Sequence, residues 1–339
     1  MAILNPDRLP TIIDVAREAG VSMKTVSRVI NKDPTVRAKN LEKVERAIAK
    51  TGYRRNAFAR GLRAKRTLMI GLLYEDAEGG YPADILAGAL SACRECGYHL
   101  MVEIVEGERM IDAARDFLLQ VSLDGVILTP PVCDNLEIIQ FLDENDISYA
   151  RISPLVSLPT GFEISIDEEW AGHALVQHLM GLGHTRIAHI RGDEGHRATI
   201  QRVAGYKRAH SEAGLSVDDT LIIPGGFNFE DGFAGAQILL ERSDAPTAIF
   251  ASNDESAAGV LAYAQRQGIK VPQDLSVVGF DGSSISRVVY PPLTTMVQPT
   301  QALAMEAVRR IAGVTDENRS QFLPINFQLG QSTAAPSAR

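Results

Sequence analysis

Cysteine is scarce. Three residues, Cys93, Cys96 and Cys133, are too few in 339 to make a disulfide framework. Cys93 and Cys96 form a C-x-x-C followed by His99, but no second ligand pair accompanies them, and a zinc site ordinarily needs four ligands. They sit in an apolar helical pattern that ends at Gly97, so they are expected to be small helix residues. No apolar run is long enough to span a bilayer. The start of the chain lacks a basic segment followed by an apolar core, which points to the cytoplasm. Phosphate-cradling G-x-x-x-x-G-K-[ST] is missing, and Gly181-Leu182-Gly183-His184 lacks the rest of a dinucleotide fingerprint. No Ser, His and Asp stand in a hydrolase context. The acidic run Asp167-Glu168-Glu169 opens a helical pattern, where carboxylates more often complement the helix dipole than catalyse. An enzyme, a cofactor and a metal are therefore not expected.

What is present is a soluble globular composition, 45% hydrophobic and 22% charged, in a chain longer than one typical domain. The net charge of -8 is unevenly spread. Residues 1–66 hold 16 Lys and Arg against 6 Asp and Glu, and the remainder holds 18 against 36. A basic head on an acidic body points to a head that binds a polyanion and a body with another task.

Within the head, Ile12, Val15, Ala16 and Ala19 share a helical face, and Gly20 follows where a helix ends. Ser22 can cap a second helix in which Val26, Val29 and Ile30 repeat at helical spacing. The small Ala16 lets the second helix cross closely, and Val26 and Val29 fill the angle. This spacing suits a helix-turn-helix whose second helix enters a major groove, although an αα-corner inside a larger domain would share it. A third helical pattern follows the Asp33-Pro34 turn. It carries Leu41, Val44 and Ile48 on one side, Lys39, Lys43, Arg46 and Lys50 on the other, and ends at Gly52.

The strings Asp14-Val15-Ala16, Gly20-Val21-Ser22, Thr25-Val26-Ser27-Arg28-Val29 and Asn31 resemble the N-terminus of the lac-repressor (LacI/GalR) family. Val36, Lys43-Val44 and Gly52-Tyr53 continue the likeness, and Asn40-Leu41 departs from the family's common Thr-Arg. The resemblance implies a DNA-binding set of Thr11, Ser22, Met23, Lys24, Thr25, Ser27, Arg28 and Asn31. It also implies that Asn56 to Arg63 form a hinge helix, with Asn56 as its cap, Leu62 as a minor-groove wedge and Ala59 where two hinges touch. Composition alone reads the same stretch as a plain linker. Eight residues including Gly61 are too few for a stable free helix.

From Thr67 apolar strand runs alternate with helical patterns. The runs are Leu68 to Tyr74, His99 to Val105, Gly125 to Thr129 and Ile147 to Ile152. They continue at Arg186 to Arg191, Thr220 to Ile223, Ala248 to Ala251 and Leu275 to Phe280. Such alternation predicts parallel sheets covered by helices. The fold class is therefore a small all-α helix-turn-helix head plus an α/β two-lobed body with parallel sheets. The resemblance implies that the body is periplasmic-binding-protein-like. The expected divisions are 1–54 for the head and 55–66 for the hinge. Residues 67–165 with 294–321 form one lobe, and 166–293 with 322–333 the other. The tail from Ala334 has no leucine heptads, so no tetramerising coiled coil is expected.

Open α/β sheets bind ligands at the carboxyl ends of their strands. That rule selects Tyr74, Asp76, Arg151, Ser153, Asn253, Asp254 and Asp281. The resemblance maps effector contacts onto Arg202, in Arg202-x-Ala204-Gly205-Tyr206, onto Asn253 and onto Asp281, in Val278-Gly279-Phe280-Asp281. Phe227 offers a face for a sugar ring or belongs to the core, and Gly282 replaces an acid often found there. A guanidinium, an amide and a carboxylate suit vicinal hydroxyls, so the expected partners are operator DNA, a sugar-like effector and a second copy of the chain. A purine is the rival effector, since some members of the family bind purines. A secreted solute-binding protein would share the body but not the basic head.

Overall fold

In the computed structural model, residues 10–30, 33–53, 66–75, 80–105, 107–315 and 320–337 are described. The chain divides into two units, Met1–Arg66 and Thr67–Arg339.

In the first unit, α1 (Ile12–Ala19), α2 (Met23–Ile30) and α3 (Ala38–Thr51) enclose a core of Val15, Ala16, Ala19, Val26, Val29, Val44 and Ala47. The Asp14 carboxylate accepts from the Thr11 backbone N (2.8 Å) and hydroxyl (2.6 Å), which fixes the start of α1. Gly20 ends α1 at φ 65°, a conformation that penalises any side chain. The Ser22 hydroxyl accepts from the Thr25 N–H at 3.2 Å and starts α2. Lys50 of α3 bonds Glu18 of α1 at 2.6 Å. Leu41 was expected to face inward. It is exposed, and Ala47 joins Val44 in the core instead.

In the second unit the elements are β1 (Met69–Tyr74), α4 (Gly80–Cys96), β2 (His99–Ile104), α5 (Met110–Gln120), β3 (Gly125–Leu128), α6 (Leu136–Glu144), β4 (Ser148–Ile152) and β5 (Phe162–Ser165). There follow α7 (Glu168–Gly181), β6 (Ile187–Ile190), α8 (Arg197–Glu212), β7 (Ile222–Ile223), α9 (Phe229–Leu240), β8 (Ala248–Ala251), α10 (Asp254–Arg266) and β9 (Ser276–Val278). The last are α11 (Ile285–Val288), β10 (Thr295–Val297), α12 (Thr300–Ala312), β11 (Ser320–Phe322) and β12 (Asn326–Gln328). They build a six-stranded sheet ordered β11-β5-β4-β3-β1-β2 and a four-stranded sheet ordered β7-β6-β8-β9. All pairings within these two sheets are parallel. β10 and β12 pair antiparallel as a separate ribbon.

The chain leaves the first sheet after β5, builds the second, and returns through α12, which packs against α4, β3, β4 and β5. Each sheet has its own core, one around Leu73, Val126, Leu128 and Ile138, the other around Ile190, Ile249, Ala251 and Val277. Central strands such as β3, β6 and β8 are buried throughout, as parallel strands covered on both faces must be. Two expected strands are shorter than their apolar runs. The Asp218 side chain accepts from Thr220 and winds residues Asp219–Leu221 into a 3₁₀ turn before β7. Gly279 leaves the end of β9, its N–H donating to the Thr294 carbonyl. Outside β9, Val277 N–H donates to Ser332 O (2.8 Å), and Ala334 N–H donates to the Ser276 hydroxyl (3.0 Å). Buried His184 contacts Ser276 Oγ, Ala334 O and Thr247 Oγ1. Cys93 and Cys96 lie on α4 as free thiols, and burial pushes the Cys93 thiol up to about 12.

Candidate functional site

On α2, packing commits Val26 and Val29 to the core and leaves Met23, Lys24 and Arg28 exposed on the side away from it. Met23 is 52% exposed, unusual for methionine and consistent with a reading surface. Thr25 and Ser27 are partly covered, Ser22 caps the helix, and Thr11 is held by Asp14. Arg28, expected among the DNA-binding residues, bonds within the head. Its Nε donates to Asp33 (2.9 Å) and its Nη2 to the Thr35 hydroxyl, which closes the loop after α2. The Arg28 bond, with those that the Thr35 hydroxyl and N–H donate to Asp33, holds the Asp33 carboxyl well below the usual carboxylate range. Asn31, Asn56, Ala59, Leu62 and Asp76 lie outside the described residues.

The second unit contains a cleft between its two sheets, about 950 Å³ including the mouth. The first-sheet wall comes from strand ends and the start of α4, namely Tyr74, Glu75, Tyr81, Thr129 and Ser153. The opposite wall presents Glu168, His196, Arg202, Phe227, Asn253 and Asp281. Of the expected effector residues, Tyr74, Ser153, Arg202, Phe227, Asn253 and Asp281 therefore line one cavity.

Arg202, on α8, is nearly sealed from solvent. Its Nε donates to Glu168 Oε2 at 2.8 Å, its Nη1 to the Ser252 carbonyl, and its Cζ lies 3.5 Å from the centroid of Phe280. Nη2 has no hydrogen-bond partner among the described residues. Glu168 reaches Arg202 because α7 and α8 touch at glycines. A Cβ on Gly205 would lie 2.2 Å from Glu169 O, and one on Gly172 would lie 3.0 Å from Arg202 O. The acidic run is thus divided. Asp167 caps α7 by accepting from Trp170 N–H, Glu169 pairs with Arg208, and Glu168 turns into the cleft.

Asp281 follows β9 at φ 108°, a strained backbone for a side-chain-bearing residue. Its carboxylate accepts from Gln298 Nε2 at 2.6 Å. Behind it, Asp254 accepts from Thr295 Oγ1 (2.7 Å) and Ser283 N (2.8 Å) and so anchors the loop that carries Asp281. Withdrawal from water raises both carboxyls above their ordinary range, most of all through desolvation. Arg202 opposes that rise at Asp281, and Asp254 and Glu168 add to it. Burial, with the negative charge of Glu168 and Asp281, also raises the Tyr81 phenol, and burial lowers His196, which is neutral near pH 7. Asn253 lines the cleft, but its side chain is occupied. Its Oδ1 caps α10 through Ser256 N–H, and its Nδ2 donates to Phe227 O, holding the Phe227 loop.

Arg151 does not line the cleft. Its Nε donates to Cys133 O (2.7 Å), its Nη1 to Glu163 (3.1 Å), and its Nη2 to Asp134 (3.0 Å) and Val156 O (2.8 Å). The residue stands at the carboxyl end of β4 but turns beneath it as an internal strut. Sequence reasoning missed Tyr81, Glu168, His196 and Gln298. Glu168 alone carried a signal, as an acid inside a helix start.

Comparison with known proteins places these sites in context. The family model for bacterial regulatory proteins, lacI family, matches residues 11–56, and one for a periplasmic binding protein-like domain matches residues 176–333. The catabolite control protein A of Priestia megaterium is 34% identical over 331 residues, 95% of this chain and 99% of that protein. The solved lac repressor dimer, bound to operator and the anti-inducer ONPF, superposes with a TM-score of 0.80 at 29% identity, covering 97% of this chain and 100% of its own. The complex of the transcriptional regulator CelR with cellobiose gives 0.73 at 31% identity, covering 95% and 99%.

Proposed function

Because the chain belongs to the lacI family of bacterial regulatory proteins and is a DNA-binding transcriptional regulator rather than an enzyme, we propose that a small hydroxylated molecule, held in the cleft, sets its hold on operator DNA. The observation that carries this reading is the pairing of Arg202 and Asp281 in one wall beside the Phe227 ring. Arg202 has Nη2 available and Asp281 an acceptor facing the cavity. A fork of donors and a carboxylate engages neighbouring hydroxyls, and a ring face covers the apolar side of a sugar. The similarity to a regulator solved with cellobiose is compatible with a saccharide, and the fork of Arg202 with Asp281 is what favours one over a purine. Among the described residues no helix is long and apolar enough to cross a membrane.

The head is proposed to read one half-site through Met23 and Lys24. A second copy supplies the other half-site. Two exposed apolar features support such a homodimer. They are the outer edge of β2, with Met101, Val102 and Ile104, and the pair formed by Val288 at the end of α11 and Tyr290 just after it. The hinge expected at Asn56 to Arg63 would carry the ligand's effect to the DNA.

The test is a titration of wild type and Asp281→Ala with sugars and purines, with and without operator. Asp281→Ala should remain a folded operator binder and lose about 1.5–3 kcal/mol of ligand affinity, the range for hydrogen bonds to charged groups. Unchanged affinity would remove Asp281 from the site. Exchanging Met23 and Lys24 for another family member's pair should shift the sequence recovered by binding-site selection, and an unchanged consensus would displace α2 as the reader.

A further inference from the structure

Resting on the cleft as the effector site, we propose that its charge balance selects for a hydroxylated ligand with no phosphate or carboxylate, and accepts one that carries a protonated amine. Among the described residues, the carboxylates Glu75, Glu168 and Glu255, and the Asp281 carboxyl, whose proton burial retains near neutral pH, line the cavity against one guanidinium, Arg202. His196, the other basic side chain of the lining, is held neutral by burial.

The charge of Arg202 is already answered on three sides, by Glu168 at 2.8 Å, by the Ser252 carbonyl and by the face of Phe280. Its remaining N–H groups can donate to hydroxyl oxygens. A phosphate bonded there would instead sit within a few ångströms of Glu168, and among the described residues the lining has no second arginine or lysine to offset that repulsion. Asp281 is the reverse case. Gln298 is its side-chain donor, and no cation lies within ion-pair distance among the described residues. An ammonium group opposite it would draw off the proton that burial retains there and complete an ion pair.

Helix starts are the remaining source of positive potential. Four place their cap or first turn in the lining, those of α4, α7, α8 and α10. Glu168 and Glu169 already occupy the first turn of α7, and Asp254 and Glu255 that of α10. The other two offer about half a unit charge each, too little to reverse the balance of the lining. Arg197, at the start of α8, donates to the Pro154 carbonyl at 3.3 Å and is not part of the lining.

The experiment uses the full-length chain and matched probes, followed by thermal shift and titration calorimetry. The probes are glucose, glucosamine, glucose 6-phosphate and glucuronate, ribose with ribose 5-phosphate, cellobiose, and adenosine with its 5′-monophosphate. The expected result is binding by at least one uncharged or amine-bearing probe. Its acidic counterpart should bind about ten-fold more weakly or worse, the effect of one uncompensated like-charge contact. Asp281→Asn keeps the shape and tolerates the positive φ, so it should remove the preference for the amine and leave the rejection of acidic probes, which Glu168 sets, largely in place. An acidic probe that binds more tightly than its parent, in wild type and Asp281→Asn alike, overturns the charge inference and leaves the cleft as the effector site. Silence from every probe overturns the hydroxylated-effector reading, and this inference falls with it.

Discussion

Arg151 and Arg202 are both enclosed arginines paired to a glutamate, and one follows a strand just as the other opens a motif. Their surroundings separate them. Four N–H groups of Arg151 bond internal acceptors, whereas Arg202 keeps Nη2 at the cleft. Arg151→Met should therefore strand Glu163 and Asp134 and cost about 3–5 kcal/mol in urea unfolding, the range for breaking a buried pair. Ligand affinity in the folded fraction should be unchanged, and a selective loss of affinity would return Arg151 to the site. A strand-end rule finds both residues but cannot tell which way a long side chain turns. That is decided by Cys133, Val156 and Glu163, whose closeness to Arg151 exists only in the fold.

A second residue-scale consequence concerns pH. The folded state raises the Asp254 and Asp281 carboxyls, so between about pH 4 and the raised values it binds more protons than the unfolded chain. The stability these groups contribute consequently falls as pH rises through that window. A ligand donating to Asp281 favours the ionised form, so its binding should release protons and strengthen with pH over the same window. Calorimetry in buffers of different ionisation enthalpy measures the release. An affinity flat in pH would mean that Asp281 does not ionise on binding. Glu168, Arg202, Gln298 and the Tyr81 phenol share this environment, and Asp281→Asn should flatten the profile.

At the scale of elements, the contact of α7 with α8 sets the ligand wall. Gly205→Ala would drive a methyl into Glu169 O and His173 N, backbone atoms that cannot give way cheaply. The helices should separate, at a cost of about 1–3 kcal/mol for overpacking, with weaker ligand binding because Glu168 no longer reaches Arg202. Thermal unfolding and titration test both, and a variant equal to wild type would mean that the crossing is not tight. The sequence pattern identified eight strand runs because their apolar residues are nearly continuous. It missed β5, β10, β11 and β12, three- or four-residue strands whose mixed polar composition has no periodicity to detect. The Glu168–Arg202 pair was equally invisible, since 34 positions separate partners joined only by two glycines at a helix crossing.

For the molecule as a whole, the charge division matters more than the sum. The basic first 66 residues should give operator binding a steep salt dependence, with affinity falling roughly a thousand-fold or more between 50 and 200 mM salt. A shallow slope measured by fluorescence anisotropy would argue against extensive phosphate contact.

The segment around Ser332 has a further consequence. β9 is the last strand of its sheet, and the outward N–H and C=O of Val277 are both taken by Ser332. Those groups would otherwise be an open template for a strand from another molecule, and self-association is the usual result of such an edge. A chain ending at Gly330 should therefore tend to form soluble aggregates at concentrations where the full chain does not, detectable by light scattering before any loss of helix content. If the shortened chain stayed monodisperse, the edge of β9 would not depend on that segment for its protection.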